Sequence, residues 1–158
     1  MHKYMFDTNM FDKALYSGKA NIIGKRNDIQ ICISATQAEE IANIPDSSVY
    51  DPNSKEKRIR LIITMLQLNV RLVLNAAVVE YGRLGTCVLG NEEIDNVLNR
   101  IYSKMPKSRS ISDCIIAEAS IREGCTLVTE DKDLLKAMAA FEYPAINWND
   151  FEKKVGIV

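Results

Sequence analysis

Residues 112–134 read SDCIIAEASIREGCTLVTEDKDL, and this stretch decides the fold. Ser110 or Ser112 opens a helix that runs through Glu123, and Gly124 is the left-handed stop such a helix needs. CTLVT (125–129) is an apolar run of strand length, and Lys132–Phe141 returns to helical spacing after the acidic turn at Glu130-Asp131. A helix that feeds a strand across a glycine, and leaves it through a polar turn into another helix, is the repeat unit of a parallel α/β sheet.

The same alternation continues outward in both directions. Lys3–Phe6 (KYMF) is a first strand stopped by Asp7-Thr8-Asn9, and Met10–Tyr16 is helical up to Gly18. Ile29–Ile33 is a second strand, and Ser34 caps the helix ATQAEEIANI (35–44), which ends before Pro45. Beyond a polar loop at 46–54, Lys55–Leu68 is a helix with Ile59, Ile62, Ile63 and Leu66 at 3–4 spacing. Val70–Leu74 is a third strand. Residues 76–90 read either as a broken helix or as a hairpin, because glycines punctuate them at 82, 85 and 90. Asn91 caps EEIDNVLNRIYSK, with Ile94, Leu98 and Ile101 on one face. Pro144–Trp148 is a short edge strand, and Asn149–Lys154 a last helical turn. With no repeat, linker or low-complexity tract, residues 1–158 are expected to form one domain. The expected architecture is a three-layer α/β/α sandwich whose mostly parallel central sheet has about five strands.

Composition excludes several kinds of chemistry. The chain has 158 residues, 20 Lys+Arg against 21 Asp+Glu, net charge −1 and a single histidine, His2. A chain of that length buries about 68–70% of the surface it exposes when unfolded. One histidine beside a terminus argues against Ser-His-Asp or Cys-His catalysis and against HExxH zinc sites; it is expected at the surface. Cys32, Cys87, Cys114 and Cys125 show no CxxC spacing, and three of them sit among apolar neighbours as buried thiols do. No run approaches the ~18 apolar residues of a membrane span and no signal peptide is visible, so a cytoplasmic setting is expected. Near-zero charge confines any nucleic-acid contact to a local patch.

Sites in open parallel sheets form beyond the carboxyl ends of the strands. Asp7 follows the first strand and Asp131 the fourth, so both arrive at one edge of the sheet. Asp113 stands in the first turn of the helix feeding the fourth strand, and Glu39 and Glu40 lie on the helix after the second. Converging carboxylates repel one another and raise one another's pKa. A divalent cation relieves this, and oxygen-only ligands select Mg²⁺ or Mn²⁺. Each acid also has a structural reading. Asp7 and Asp131 suit helix starts, and Asp113 completes a Ser110-x-x-Asp113 capping box.

The ordered set FDTN (6–9), Glu40-Ile41, SDCIIAEAS (112–120) and LVTEDKDL (127–134) resembles the PIN-domain family. These are metal-dependent ribonucleases that include the VapC-type toxins of toxin–antitoxin pairs. The resemblance runs from Lys3 to about Glu152, including the closing AINWNDFEK (145–153). It implies that Asp7, Glu40, Asp113 and Asp131 bind Mg²⁺ or Mn²⁺, with Asp133 as an outer ligand. Helical periodicity does not choose between Glu39 and Glu40, whereas the family pattern of an acid before a bulky aliphatic favours Glu40. Asn9 and Thr129 would be polar supports, and Lys104, Lys107 and Arg109 would seat RNA phosphates unless they merely solvate a loop. Lys55, Lys57, Arg58 and Arg60 are read as a solvated face. Tyr4, Tyr81, Tyr102 and Trp148 are read as packing.

The implied activity is endoribonuclease cleavage leaving 5′-phosphate and 3′-hydroxyl ends, by a homodimer with an antitoxin partner. The alternative is a PIN-like RNA- or protein-binding module that does not cleave. The interval from Glu40 to Asp113 is long for compact toxin members and places an inserted element at 76–90. Aspartyl phosphatases want DxD after the first strand, where this chain has Asp7-Thr8-Asn9. Receiver domains want a lysine after the fifth strand, and PAINWND offers none.

Overall fold

Short β-branched and apolar runs, each too brief to be a helix, pair into one five-stranded sheet. The computed structural model describes residues 1–47, 52–76, 87–88, 92–106 and 111–157. The sheet contains β1 (His2–Phe6), β2 (Ile29–Ser34), β3 (Arg71–Val73), β6 (Thr126–Val128) and β7 (Ala145–Ile146), in the order β3-β2-β1-β6-β7. Every pairing is parallel. Between β3 and β6 lie β4 (Asn75–Ala76) and β5 (Cys87–Val88), which pair separately and also in parallel. A hairpin would pair them antiparallel. The rest of the segment read as broken helix or hairpin lies outside the described residues.

Alternation along each strand divides the interior into two layers. Tyr4, Phe6, Ile31, Ile33 and Val128 face one side, and Met5, Cys32 and Leu127 face the other. The first side is covered by α1 (Thr8–Tyr16), α2 (Ala20–Gly24), α4 (Ser54–Gln67) and α8 (Trp148–Val155). The second is covered by α5 (Glu92–Lys104), α6 (Ile111–Arg122) and α7 (Lys132–Ala139). With α3 (Ala35–Ala42) after β2, the architecture is the expected three-layer α/β/α sandwich. The first layer centres on an aromatic cluster. Phe6 meets Phe11, Trp148 and Phe151 at ring-centroid distances of 5.7, 5.8 and 5.1 Å, and Tyr4 meets Phe151 at 5.0 Å.

Local chemistry accounts for most helix ends. Ser34 and Gln37 form a reciprocal capping box at α3, and Gly124 ends the turn after α6 at φ +65°. Two elements differ from the sequence reading. α2 carries too short an apolar pattern to announce itself. It packs where Gly24 meets α4: a Cβ there would stand 1.8 Å from the Gln67 carbonyl oxygen. α4 itself is turned. Its buried positions are Ser54, Leu61 and Thr64, while Ile59, Ile62, Ile63 and Leu66 are between 41% and 76% exposed.

Cys32, Cys114 and Cys125 are buried free thiols as expected, and burial pushes the Cys114 thiol up to about 11. His2 is exposed. Tyr4 and Trp148 pack in the core, but Tyr102 is exposed, so for that residue the packing reading is corrected. Tyr81, Lys107, Arg109, Ser110 and Asn91 lie outside the described residues. Among the described residues no helix is long and apolar enough to cross a membrane.

Phe151 is fully buried and meets three other rings. Phe151→Ala is expected to cost about 3–5 kcal/mol of unfolding free energy. Urea denaturation checks this through a lower midpoint at unchanged slope.

Candidate active site

The central pairing of β1 with β6 fixes the geometry. The Asp7 amide donates to the Val128 carbonyl at 2.9 Å, one residue beyond the last register pair, Phe6 with Val128. Asp7 therefore arrives at the carboxyl edge beside Thr129, across 122 positions of sequence. The Thr129 hydroxyl donates to Asp7 Oδ2 at 2.8 Å, and its oxygen accepts the Asp131 amide at 3.0 Å. Asp7 Oδ1 accepts the Thr8 amide at 2.7 Å as the N-cap of α1. Asp131 Oδ1 accepts the amides of Asp133 and Leu134 at 2.8 and 3.2 Å as the N-cap of α7. The two acids that cap α1 and α7 are thus the two that Thr129 links.

Glu40 joins from α3. The Thr8 hydroxyl donates to Glu40 Oε2 at 2.9 Å, which ties Glu40 to the residue next to Asp7. The helix carrying Glu40 is itself anchored, because the buried Gln37 amide donates to the Phe6 carbonyl at the end of β1. Asp113 is half-buried in the first turn of α6. Because α6 runs back along the sheet to feed β6, its first turn belongs to the same carboxyl edge. Asp133 is half-buried beside Asp131, and Asn9 is exposed in the first turn of α1. Lys104 is exposed at the end of α5.

An open cleft of about 520 Å³ is lined by Asn9, Glu130, Asp131, Lys132, Asp133 and Lys136. Lys136 Nζ lies 3.9 Å from Asp133 Oδ1. Lys13 meets Glu130 at 2.8 Å and holds that carboxyl below its ordinary range. Thr8, Lys132 and Lys136 were missed by the sequence reading. Thr8 stands inside the FDTN motif that was noticed for its acid. Lys132 and Lys136 resemble any solvated helix positions.

Charge at the edge is under tension. Burial is the main cause raising the Asp7 pKa, and the Asp131 carboxylate adds to it, while the bonds from Thr129 and Thr8 pull the other way. Oxygen donors of this kind, with two carboxylates close enough to feel each other, suit a hard divalent cation. Among the described residues, no group of three or more His, Cys, Asp or Glu side chains is gathered closely enough to hold a metal ion. The donor chemistry of Asp7 and Asp131 fits such a cation.

No family model matches the chain, and no curated protein matches it by sequence. Solved structures do resemble it. PAE2754 from Pyrobaculum aerophilum aligns at TM-score 0.63 and 14% identity, over 99% of this chain and 97% of its own. VapBC2 from Rickettsia felis, bound to a DNA fragment from its promoter, aligns at 0.57 and 17% identity over 92% and 98%. VapBC-1 from nontypeable Haemophilus influenzae aligns at 0.56 and 17% identity over 93% and 98%. At these identities the likeness is one of fold, and the fold is PIN-like.

Asp7 holds its proton to higher pH in the folded chain than in the unfolded one. Its ionisation therefore works against folding above the folded pKa, and adds nothing below the unfolded value of about 3.9. With chelator present, Asp7→Asn is expected to be more stable than wild type at neutral pH. That gain should shrink as the pH falls from the raised folded pKa and approach zero at the ordinary aspartate value. Urea titrations at several pH values read the difference. A variant less stable at neutral pH would mean that the bonds to Asp7 outweigh the cost of burying it.

Proposed function

We propose that this chain is a metal-dependent endoribonuclease and the toxin partner of a toxin–antitoxin pair. The observation that carries the reading is the Asp7–Thr129–Asp131 linkage at the carboxyl edge of a PIN-like fold, opening on a cleft with two lysines. Asp7, Glu40, Asp113 and Asp131 would hold Mg²⁺ or Mn²⁺, with Asp133 outside them. The bound cation supplies an acidified water and neutralises phosphodiester charge.

The chain's own groups do the rest. Thr129 fixes the orientation of the Asp7 carboxylate, as outer-shell partners of metal ligands do. Lys132 and Lys136, which line the cleft, attract the RNA backbone by charge, and Lys104, Lys107 and Arg109 would add to that attraction. Asn9, in the first turn of α1 and lining the cleft, would donate to the scissile phosphate. Cleavage leaves 5′-phosphate and 3′-hydroxyl ends.

An antitoxin partner is supported by the likeness to the VapBC structures. The exposed stripe of Ile59, Ile62, Ile63 and Leu66 adds to this, because contiguous apolar surface marks protein contacts. The homodimer implied by the family resemblance belongs to the same proposal. A second reading, a PIN-like binding module that does not cleave, is favoured by one observation: among the described residues, no three acids are gathered closely enough to hold a metal ion.

Incubation with structured RNA and Mn²⁺ separates the two. Wild type should cleave, chelator should abolish cleavage, and Asp7→Asn should fall to background. Thr129→Val should lose about 10–100-fold in activity while keeping its fold. Equal cleavage by wild type and Asp7→Asn would mark a contaminant and leave the binding module standing.

A further inference from the structure

A second pocket lies between α5 and α6 and shares no lining residue with the acidic cleft. It measures about 320 Å³ and is bounded by Glu93, Ile94 and Val97 of α5, and by Glu118, Ile121 and Arg122 of α6. Glu118 is 1% exposed. Its Oε1 accepts from Arg122 Nε at 2.9 Å, but the buried Oε2 has no hydrogen-bond partner among the described residues. Arg122 directs its other bonds away from it. Its two terminal nitrogens donate to Glu123 Oε1 at 3.2 Å and to the Leu74 carbonyl at 2.5 Å.

A buried carboxylate oxygen without a donor is expensive, and a native fold rarely keeps one without a use. The surroundings narrow what would satisfy it. Ile94, Val97 and Ile121 make apolar walls, and Glu93 adds a second negative charge at the exposed side. Among the described residues, two carboxylates face one guanidinium, itself shared with Glu123, and the lining is acidic on balance. A neutral guest would bring a donor without balancing that charge, and a bare metal ion would waste the apolar walls. The complement is a monovalent organic cation with N–H donors at the end of an aliphatic stem.

We propose that the α5–α6 pocket binds an alkylguanidinium or alkylammonium group, whose N–H donates to Glu118 Oε2 while its methylenes lie against Ile94, Val97 and Ile121. The group could arrive on a free small cation or on an arginine or lysine side chain of another polypeptide.

Amide-detected NMR titration of the whole chain tests this, with agmatine as the free cation and N-acetyl-Gly-Arg-Gly-amide as the side chain on a backbone. Saturable shifts in α5 and α6 are expected with at least one probe. Agmatine alone would indicate a small-molecule ligand, and the peptide alone a protein partner. Glu118→Gln should weaken binding at least about tenfold. Val97→Trp, which fills the pocket and leaves Glu118 in place, should abolish it, so the test survives if the first variant misfolds. n-Butylurea, neutral and similar in shape to the agmatine stem and head, should bind at least about tenfold more weakly. Asp7→Asn should bind as wild type does. The proposal fails if neither probe gives saturable shifts in the millimolar range, or if Glu118→Gln binds as wild type does. It fails equally if the shifts follow Asp7 instead.

Discussion

The hydroxyl of Thr129 donates to Asp7 and accepts from the amide of Asp131, and so ties together residues from opposite ends of the chain. Its position is a consequence of sheet order. β1 is the central strand, and only its pairing with β6 puts the residue after Phe6 beside the residue after Val128. The aromatic cluster under Phe6 holds that end of β1 from one face, and Met5 and Leu127 hold it from the other. Gln37 then grips the Phe6 carbonyl from α3 and carries Glu40 into reach of Thr8. The Thr129 link depends on the β1–β6 register, and the Gln37 and Glu40 contacts on the pairing of β1 with β2.

Burial explains why the edge is chemically poised. Asp7 is almost out of water, yet two donors hold it in place and a second carboxylate presses on it. A core built for stability alone would have an apolar residue there. The acid also caps α1, so a cost in electrostatics is partly offset by a satisfied helix start.

Much of this was legible in the sequence, for identifiable reasons. Ser34, Gly124, and the short runs KYMF, IQICI and CTLVT are local signals, and local chemistry decides them. The order of the acids was legible too, because strand ends can be read from such runs. α4 was misleading. Its isoleucines recur at helical spacing, but the packed face is Leu61 and Thr64, with neighbouring α2 held close at Gly24. Periodicity reports that a helix has an apolar side, and says nothing of whether this chain covers it. α6 shows the reverse. It is buried continuously from Cys114 to Ser120 and has no apolar stripe to find, because sheet and helices enclose it. The Thr8–Glu40 bond and the unpaired oxygen of Glu118 are side-chain events across the fold, beyond the reach of spacing.

The central position of β1 also has a consequence for synthesis. During synthesis β1 cannot acquire its β6 neighbour until residues 126–128 have followed it. Loop closure over so many residues is slow compared with local helix formation. A nascent chain can thus form α1 and pair β1 with β2 early, while its two edge carboxylates remain far apart. Whatever chemistry the edge performs is absent from any nascent chain that lacks residues 126–131, and it switches on only once they have joined the sheet.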